Sequence, residues 1–376
     1  MKSNPEVKDS SNQRNYSANP KGMADYSNHL LPIKVTPVFD SYWRFAAERQ
    51  KVFLRRLENS PAPWTTDPVI LKHKFTNAYR ASDRVSQYLI KRVIYRDDLP
   101  SNSAEVLFRI ILFKLFNKIE TWQLLENTFG EVSYKNYKFE HYDHVLSSAM
   151  KAGGRIYSAA YIMPPGGSAF GHQAKHQNHL RLLEKMMADN LAGHLEQLKK
   201  MQTAFELLRS YPTIGDFLAY QFITDINYSE ITQFSEMDFV VPGPGAKDGL
   251  RKCFLDSAGL NEAELIRLMA DNQEREFDRL GINFESLWGR RLQLIDCQNL
   301  FCEIDKYARV AHPDITGISG RTRIKQNFTP TGPIEQPWFP PKWGLNKKID
   351  ETLTPRAFDT EINLLSIQGN LDFKGT

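Results

Sequence analysis

Asp238 stands in the run Met237-Asp238-Phe239-Val240, just before a Pro-Gly-Pro-Gly turn at residues 242–245. A carboxylate between apolar neighbours and a tight turn is expected to be held by its surroundings rather than solvated. So held, it can stabilise an oxocarbenium-like sugar and orient an attacking water, as carboxylates do in glycoside hydrolysis. The plainer role for an aspartate there is a turn acid or helix cap. Upstream, a helical stretch ends at Tyr211-Pro212-Thr213-Ile214-Gly215 and a second begins near Asp216. Such a turn presents consecutive backbone N–H groups at a helix N-terminus, which suits a backbone phosphate. Thr213, Gly215, Gly243 and Gly245 are therefore the candidate phosphate contacts.

Other polar residues fall into small groups. In Trp64-Thr65-Thr66-Asp67 and the following helical pattern, Asn77, Arg80 and Asp83 recur three apart on one expected helical face, with Trp64 and Tyr79 able to stack on a base or cap the core. On that face Arg80 could grip a phosphate while Asn77 or Asp83 reads a base; the same pattern also suits a solvated face or a structural hydrogen-bond network. Gln298, Asn299, Glu303, Asp305 and Lys306 share the pattern DCQNLFCEIDKY, where Glu303 could pair with Lys306 or Arg80 and orient a pocket. His172, His176 and His179 lie at i, i+4 and i+7, a spacing compatible with zinc, but no acidic or cysteine ligand accompanies them in the motif and no metal is assigned. Arg321, Arg323 and Lys325 alternate with small and apolar residues, and could follow phosphates along an extended edge or form a solvated arm.

The 207–249 stretch resembles the helix-hairpin-helix DNA glycosylases, whose signature is a Leu-Pro-Gly-Val-Gly hairpin and, one helix later, a Val-Asp-Thr-His segment with the catalytic aspartate. In that resemblance Tyr211–Gly215 stands for the hairpin, with Thr213 in place of its first glycine, and Met237–Val240 stands for the acid segment. The lysine that forms a Schiff base in strand-cleaving members falls on Phe217, which implies base removal without lyase activity. A broader resemblance runs from about residue 40 to 330. The blocks RRLENSPAPWTTDPVILKHKFTNAYRASDRVSQYLI, LFRIILFKLFNKIETW and DCQNLFCEIDKYARV are similar to the helical family of alpha-glutamyl/putrescinyl thymine pyrophosphorylases and hydroxymethyluracil DNA kinase helical domains. That family is associated with hypermodified phage thymines and includes a phage-defence glycosylase acting on glucosylated hydroxymethylcytosine. What its members share is a flipped, bulky modified pyrimidine.

These residues must be positioned by helices. SYWRFAAERQKVFLRRL spaces Trp43, Phe45, Ala46, Phe53 and Leu54 for one helical face, and the pattern resumes in HKFTNAYRASDRVSQYLIKRVIY. SNSAEVLFRIILFKLFNKIETWQLL is the most apolar stretch, expected at the centre of the core with Ser103 as its cap. Strand-like alternation is scarce, so the fold class is all-α, and the resemblance implies a glycosylase-like helical domain over residues 36–311. Residues 1–35, rich in Ser, Asn, Lys and Pro, read as a disordered tail, and 312–376 as an extended Pro-rich segment laid over the helices.

At 376 residues and 41% hydrophobic content the chain can bury one large core or two modest ones. Its 48 basic and 44 acidic residues leave a net charge of +4, a mild lean towards a polyanionic partner. Three cysteines without a CxxC pair suggest neither a zinc knuckle nor a disulfide framework. The polar N-terminus and the absence of long uncharged apolar runs lead to the expectation of a cytoplasmic protein. No Gly-x-x-x-x-Gly-Lys-Ser/Thr loop is present, so ATP-dependent phosphorylation is not expected. The expected function is excision of a hypermodified pyrimidine from phage DNA in antiviral defence, with no cofactor and with Asp238 as the catalytic acid. The alternatives are a transferase that attaches an amino acid or polyamine to such a base, and a non-catalytic module that binds modified DNA.

Overall fold

The computed structural model describes residues 33–159, 163–330 and 334–353. The architecture is all-α. Helices follow one another from Pro37–Leu57 to Asn346–Leu353, and among the described residues the only strand pair is Lys34–Val35 antiparallel to Phe254–Asp256. That pairing corrects the expected tail boundary at 35, because Lys34 and Val35 hold fixed partners; residues 1–32 lie outside the described residues.

The Pro37–Leu57 helix starts as its sequence dictates. Thr36 caps it, its hydroxyl accepting the Val38 N–H at 3.0 Å, and Pro37 stands at the first position, where no N–H is needed. Its apolar face buries Val38, Tyr42, Trp43, Phe45, Ala46 and Phe53. The Ser103–Phe116 helix is buried on all sides from Glu105 onward, as expected of the most apolar segment, and so carries Lys114 into the interior. Its cap is Asn102 rather than Ser103, with the Asn102 side chain accepting the Glu105 N–H at 3.1 Å.

Two helices meet more closely than any side chain allows. A Cβ placed on Gly249, in the Pro244–Cys253 helix, would lie 2.0 Å from the carbonyl oxygen of Phe301, in the Leu294–Ala311 helix. One turn away, a Cβ on Gly245 would stand 3.2 Å from Cys302 Sγ. The seam closes at its far end with the buried ion pair Lys252–Asp305 at 2.9 Å. The first helix packs across both, with the Thr36 N–H donating to Cys253 O and the Tyr42 hydroxyl to Cys297 O.

Two further expectations are corrected. The stretch after His73 is not a continuous helix: residues 74–79 are irregular, Arg80–Ser82 is a 3₁₀ turn, and only Arg84–Tyr88 and the π-turn Leu89–Ile94 are helical. Buried polar contacts override the local helical pattern here, since Thr76 N–H donates to Glu303 and Asn77 N–H to Asp83. The C-terminal segment is extended over 321–328 but not throughout. It includes the 3₁₀ turn Pro341–Trp343 and the Asn346–Leu353 helix, anchored by buried Phe339, Leu345 and Ile349; residues 331–333 and 354–376 lie outside the described residues.

Candidate active site

The Leu294–Ala311 helix opens with Asp296 in its first turn, where a carboxylate satisfies free backbone donors and meets the positive end of the helix dipole. Asp296 accepts the Gln293 N–H at 3.0 Å and, from a distant part of the chain, the Arg80 N–H at 2.8 Å. Burial pushes its carboxyl up to about 6 against the lowering effect of those two donors. The Arg80 guanidinium turns away into the core. It reaches Asp225 at 2.6 Å, the Tyr228 hydroxyl at 2.8 Å and Gln221 Oε1 at 3.1 Å. The second oxygen of Asp225 takes Lys114 at 2.5 Å, and all three charged side chains are no more than 4% exposed. Burial alone would raise Asp225, but Arg80 and Lys114 hold its carboxyl below the ordinary range.

A second layer lies beside this group. Glu236 is buried and pairs with Arg290 at 3.1 Å. The Arg290 guanidinium rests 3.8 Å from the ring centroid of Trp343, whose edge-on neighbour is Tyr228. The charges of Glu236 and Arg290 both act on Asp296, in opposite directions. Lys342 donates to the carbonyls of Ser229 and Thr232 at 2.8 and 2.7 Å, and burial lowers its ammonium to about 8. Buried ionisable groups converging from many elements, with shifted protonation, make this cluster a candidate functional site. Chemically the group offers a carboxylate, Asp296, whose charge is not neutralised by a direct ion pair.

Residues 36–317 match the family described as the helical domain of 5-hmdU DNA kinase. The chain belongs to this helical-domain family. The 5-hmdU DNA kinase of Bacillus phage SP10 is 25% identical over 293 residues, covering 72% of this chain and 45% of that relative. The chain thus spans less than half the length of the curated relative it matches. No solved structure matches it. The family segment contains the whole polar centre except Lys342 and Trp343, which lie beyond its end.

Within the family segment, the expected residues distribute unevenly. Arg80 stands in the polar centre. Asn299 lies half-buried one turn beyond Asp296 on the same helix face. Tyr79 is buried beside them, but its hydroxyl is taken up, donating to Arg290 O at 2.6 Å and accepting the Leu287 N–H at 3.2 Å. Asn77 and Asp83 share no helix face with Arg80. Asn77 binds Arg49 and Ser82 O, and burial pushes Asp83 up to about 7. Glu303 pairs with Lys306 at 2.6 Å, not with Arg80. Trp64 packs elsewhere, under Arg56 and against Phe328. Gln298 is fully buried between the two seam helices, its Nε2 meeting Cys302 Sγ.

Asp238 is exposed, in a turn where its own carbonyl accepts from Arg267 at 2.9 Å. The enclosed setting expected for it belongs instead to Glu236, two residues earlier, because the turn directs one carboxylate inward and the other to solvent. The Tyr211–Gly215 hairpin does link two helices, Met201–Arg209 and Asp216–Ile226, with Thr213 in the left-handed region at φ 69 and Gly215 exposed. Asp216 sits in the first turn of the second helix and Arg209 beside it at 3.5 Å, so an acid already occupies that helix end. The Gly243–Gly245 turn differs: no acid stands in the first turn of the helix it opens. Gly243 is required by packing, since a Cβ there would press within 2.9 Å of the Phe217 ring. Arg321 and Arg323 are exposed on an extended arm tied to this helix, with Ser319 N–H donating to Asp248 at 2.9 Å, and tied further on to Lys72 and Lys74. Gly243 is buried, whereas Arg321 and Arg323 are exposed.

The histidines are used internally. His176 Nε2 lies 2.7 Å from Asp143 and 3.0 Å from Ser147. His179 bridges Tyr157 and Pro164 O, and burial lowers it to about 4. Among the described residues no group of three or more His, Cys, Asp or Glu is arranged to hold a metal, and no helix is long and apolar enough to cross a membrane. Sequence reasoning missed Lys114, Asp225, Tyr228, Glu236, Arg290 and Asp296. The discernible signal was a charged residue inside an otherwise apolar helix, as with Lys114 in FRIILFKLF and Asp225 in YQFITDI.

Two surface clefts flank the centre without reaching it. One, about 570 Å³, is lined by Phe277, Phe284, Ser286, Gly289 and Arg291; the other, about 610 Å³, by Lys91, Tyr95, Glu230, Trp338 and Pro341. Neither is lined by Asp296, Glu236 or Arg80. The first cleft borders the loop that carries Arg290 and the second the segment that carries Trp343.

Proposed function

We propose that the chain acts on DNA containing a modified pyrimidine, extrudes that nucleotide and hydrolyses its N-glycosidic bond, with Asp296 as the catalytic carboxylate. The carrying observation is the position of Asp296: buried, on the first turn of the helix that packs backbone to backbone on the helix opened by Pro242–Gly245. In this reading the glycosylase signature takes a second register, in which the turn follows irregular chain instead of a helix and the helices Glu262–Asp271 and Gln273–Arg279 stand between turn and acid. Val241-Pro242-Gly243-Pro244-Gly245 takes the hairpin, and Ile295-Asp296-Cys297-Gln298 takes the acid segment. The similarity to a protein named 5-hmdU DNA kinase supports DNA with a modified pyrimidine as the substrate class.

In this reading the C1′–N bond breaks with its electron pair passing to the base. Asp296 stabilises the positive charge that develops on the sugar and accepts a proton from the water that adds to C1′. The departing base, anionic as it leaves, takes a proton from solvent, and the products are the free base and an abasic site. Extrusion costs a few kcal/mol, offset by contacts within the pocket. Excision of phage bases in defence is the biological setting this chemistry suits.

The test is incubation with duplexes carrying 5-hydroxymethyluracil, 5-hydroxymethylcytosine or its glucosylated form, followed by mass spectrometry. Free base with an abasic strand is expected. A heavier base still attached would replace hydrolysis with group transfer, and tight binding without any product would leave a modified-DNA binding module.

A further inference from the structure

The segment 334–353 lies beyond the family match yet docks on the polar centre. Its entry is tied by Glu335 to Lys91 at 3.0 Å, and its exit by Lys348 to Trp288 O at 3.3 Å. Between these ties, Trp338 packs edge-on to Tyr95, and the Phe339 and Asn346 groups hydrogen-bond each other across the turn. Phe339 and Ile349 are fully buried, so the strap is anchored by apolar contact and not only by surface ion pairs. At its centre, Lys342 grips the two carbonyls that follow Tyr228, and Trp343 covers Arg290.

We propose that this strap is the closing wall of the base site and that Trp343 is a positioning residue, holding the Arg290 guanidinium against Glu236 and so fixing the charge arrangement around Asp296. The guanidinium is confined from two sides, by the Glu236 carboxylate at 3.1 Å and by the indole face at 3.8 Å. An arginine over an aromatic face gains electrostatic attraction as well as packing, and desolvation strengthens it. Without the ring, one side of Arg290 opens and its long side chain regains rotamers. The proposal rests on the base-extruding site described above.

The experiment compares wild type, Trp343→Leu and Trp343→Phe in the full chain. Leu keeps apolar volume but removes the aromatic face; Phe restores a face. Base release is followed in single turnover, and 2-aminopurine placed beside the modified base reports extrusion without any chemistry. The expected result is a loss of turnover of about tenfold or more for Leu with DNA affinity nearly unchanged, and recovery of most of it by Phe. Equal behaviour of Leu and Phe, or wild-type turnover in Leu, would overturn the positioning role. If wild type extrudes the base but releases none, hydrolysis fails while the same three proteins still decide the strap's role from the extrusion signal. If wild type neither extrudes nor releases a base, both readings fall.

Discussion

Arg80 and Asp296 are joined through the peptide backbone: the Arg80 N–H donates to Asp296 at 2.8 Å while the guanidinium reaches Asp225 at 2.6 Å. Asp296 is thereby positioned by a residue that does not neutralise it. Its negative charge remains available to a positive charge developing in a substrate.

Asp296→Asn is expected to reduce base release by about a hundredfold to a thousandfold. Asparagine keeps only one of the two acceptor oxygens, so one of the two backbone donors loses its partner and stability should fall by about 1–3 kcal/mol. Asp238→Asn, at an exposed turn, should release base at close to the wild-type rate. Single-turnover rates for the two variants decide the assignment, and the reverse pattern would return the catalytic role to Asp238.

The carboxyl of Asp296, raised by burial to about 6, gives the pH dependence its sign. The ionised form is the active one, so base release should climb between about pH 5 and 7 and then level. Stability runs the other way. Both Asp296 and Asp83, the latter raised to about 7, bind a proton more tightly folded than at their ordinary value of 3.8. Their contribution is therefore fully present at low pH and is lost as pH rises through the folded values. Asp83→Asn should gain on wild type in denaturant midpoint from about pH 4 to 7. A pH-independent difference would contradict the burial of that carboxyl.

Asp225→Ala would leave Arg80 and Lys114 buried without their shared counter-charge. The expected loss is about 3–5 kcal/mol in denaturant unfolding. A loss under about 1 kcal/mol would mean that water reaches the cluster freely.

No covalent adduct is expected when borohydride is added during turnover. In the proposed register the strand-cleaving lysine corresponds to Lys247 rather than to Phe217. Lys247 is exposed and lies 3.7 Å from Glu262. A trapped adduct that disappears in Lys247→Met would establish a lyase step.

Arg321→Ala and Arg323→Ala should weaken binding to modified and unmodified DNA alike. Each lost phosphate contact lowers the salt slope by about 0.9. An effect confined to modified DNA would move these residues from backbone contact to base recognition.

Much of the helical body could be read from the chain, because Trp43, Phe45, Ala46 and Phe53 recur at a helical period and the 103–116 stretch is apolar on all sides. The site was less legible. Two glycine turns, at 212–215 and 242–245, look alike as strings; only the close approach of Gly249 to Phe301 distinguishes the one facing the acid-bearing helix. Glu236 and Asp238 are two residues apart in one turn, and which of them points inward depends on Arg290, more than fifty residues later. Residues 74–79 carry a helical pattern that long-range acceptors, Glu303 among them, override. Trp343 could not be connected to Arg290 by any local signal.

The contact of Gly249 with Phe301 is one of main chain on main chain, and it acts as a fixed gauge between the turn that would hold the strand and the carboxylate that would stabilise the sugar cation. Side-chain substitution cannot lengthen or shorten that gauge without parting the helices. Accommodation of a larger or smaller base substituent must therefore come from the opposite walls, the 284–291 loop and the 334–353 strap. Relatives with different substrates should differ there while keeping the spacing between turn and acid.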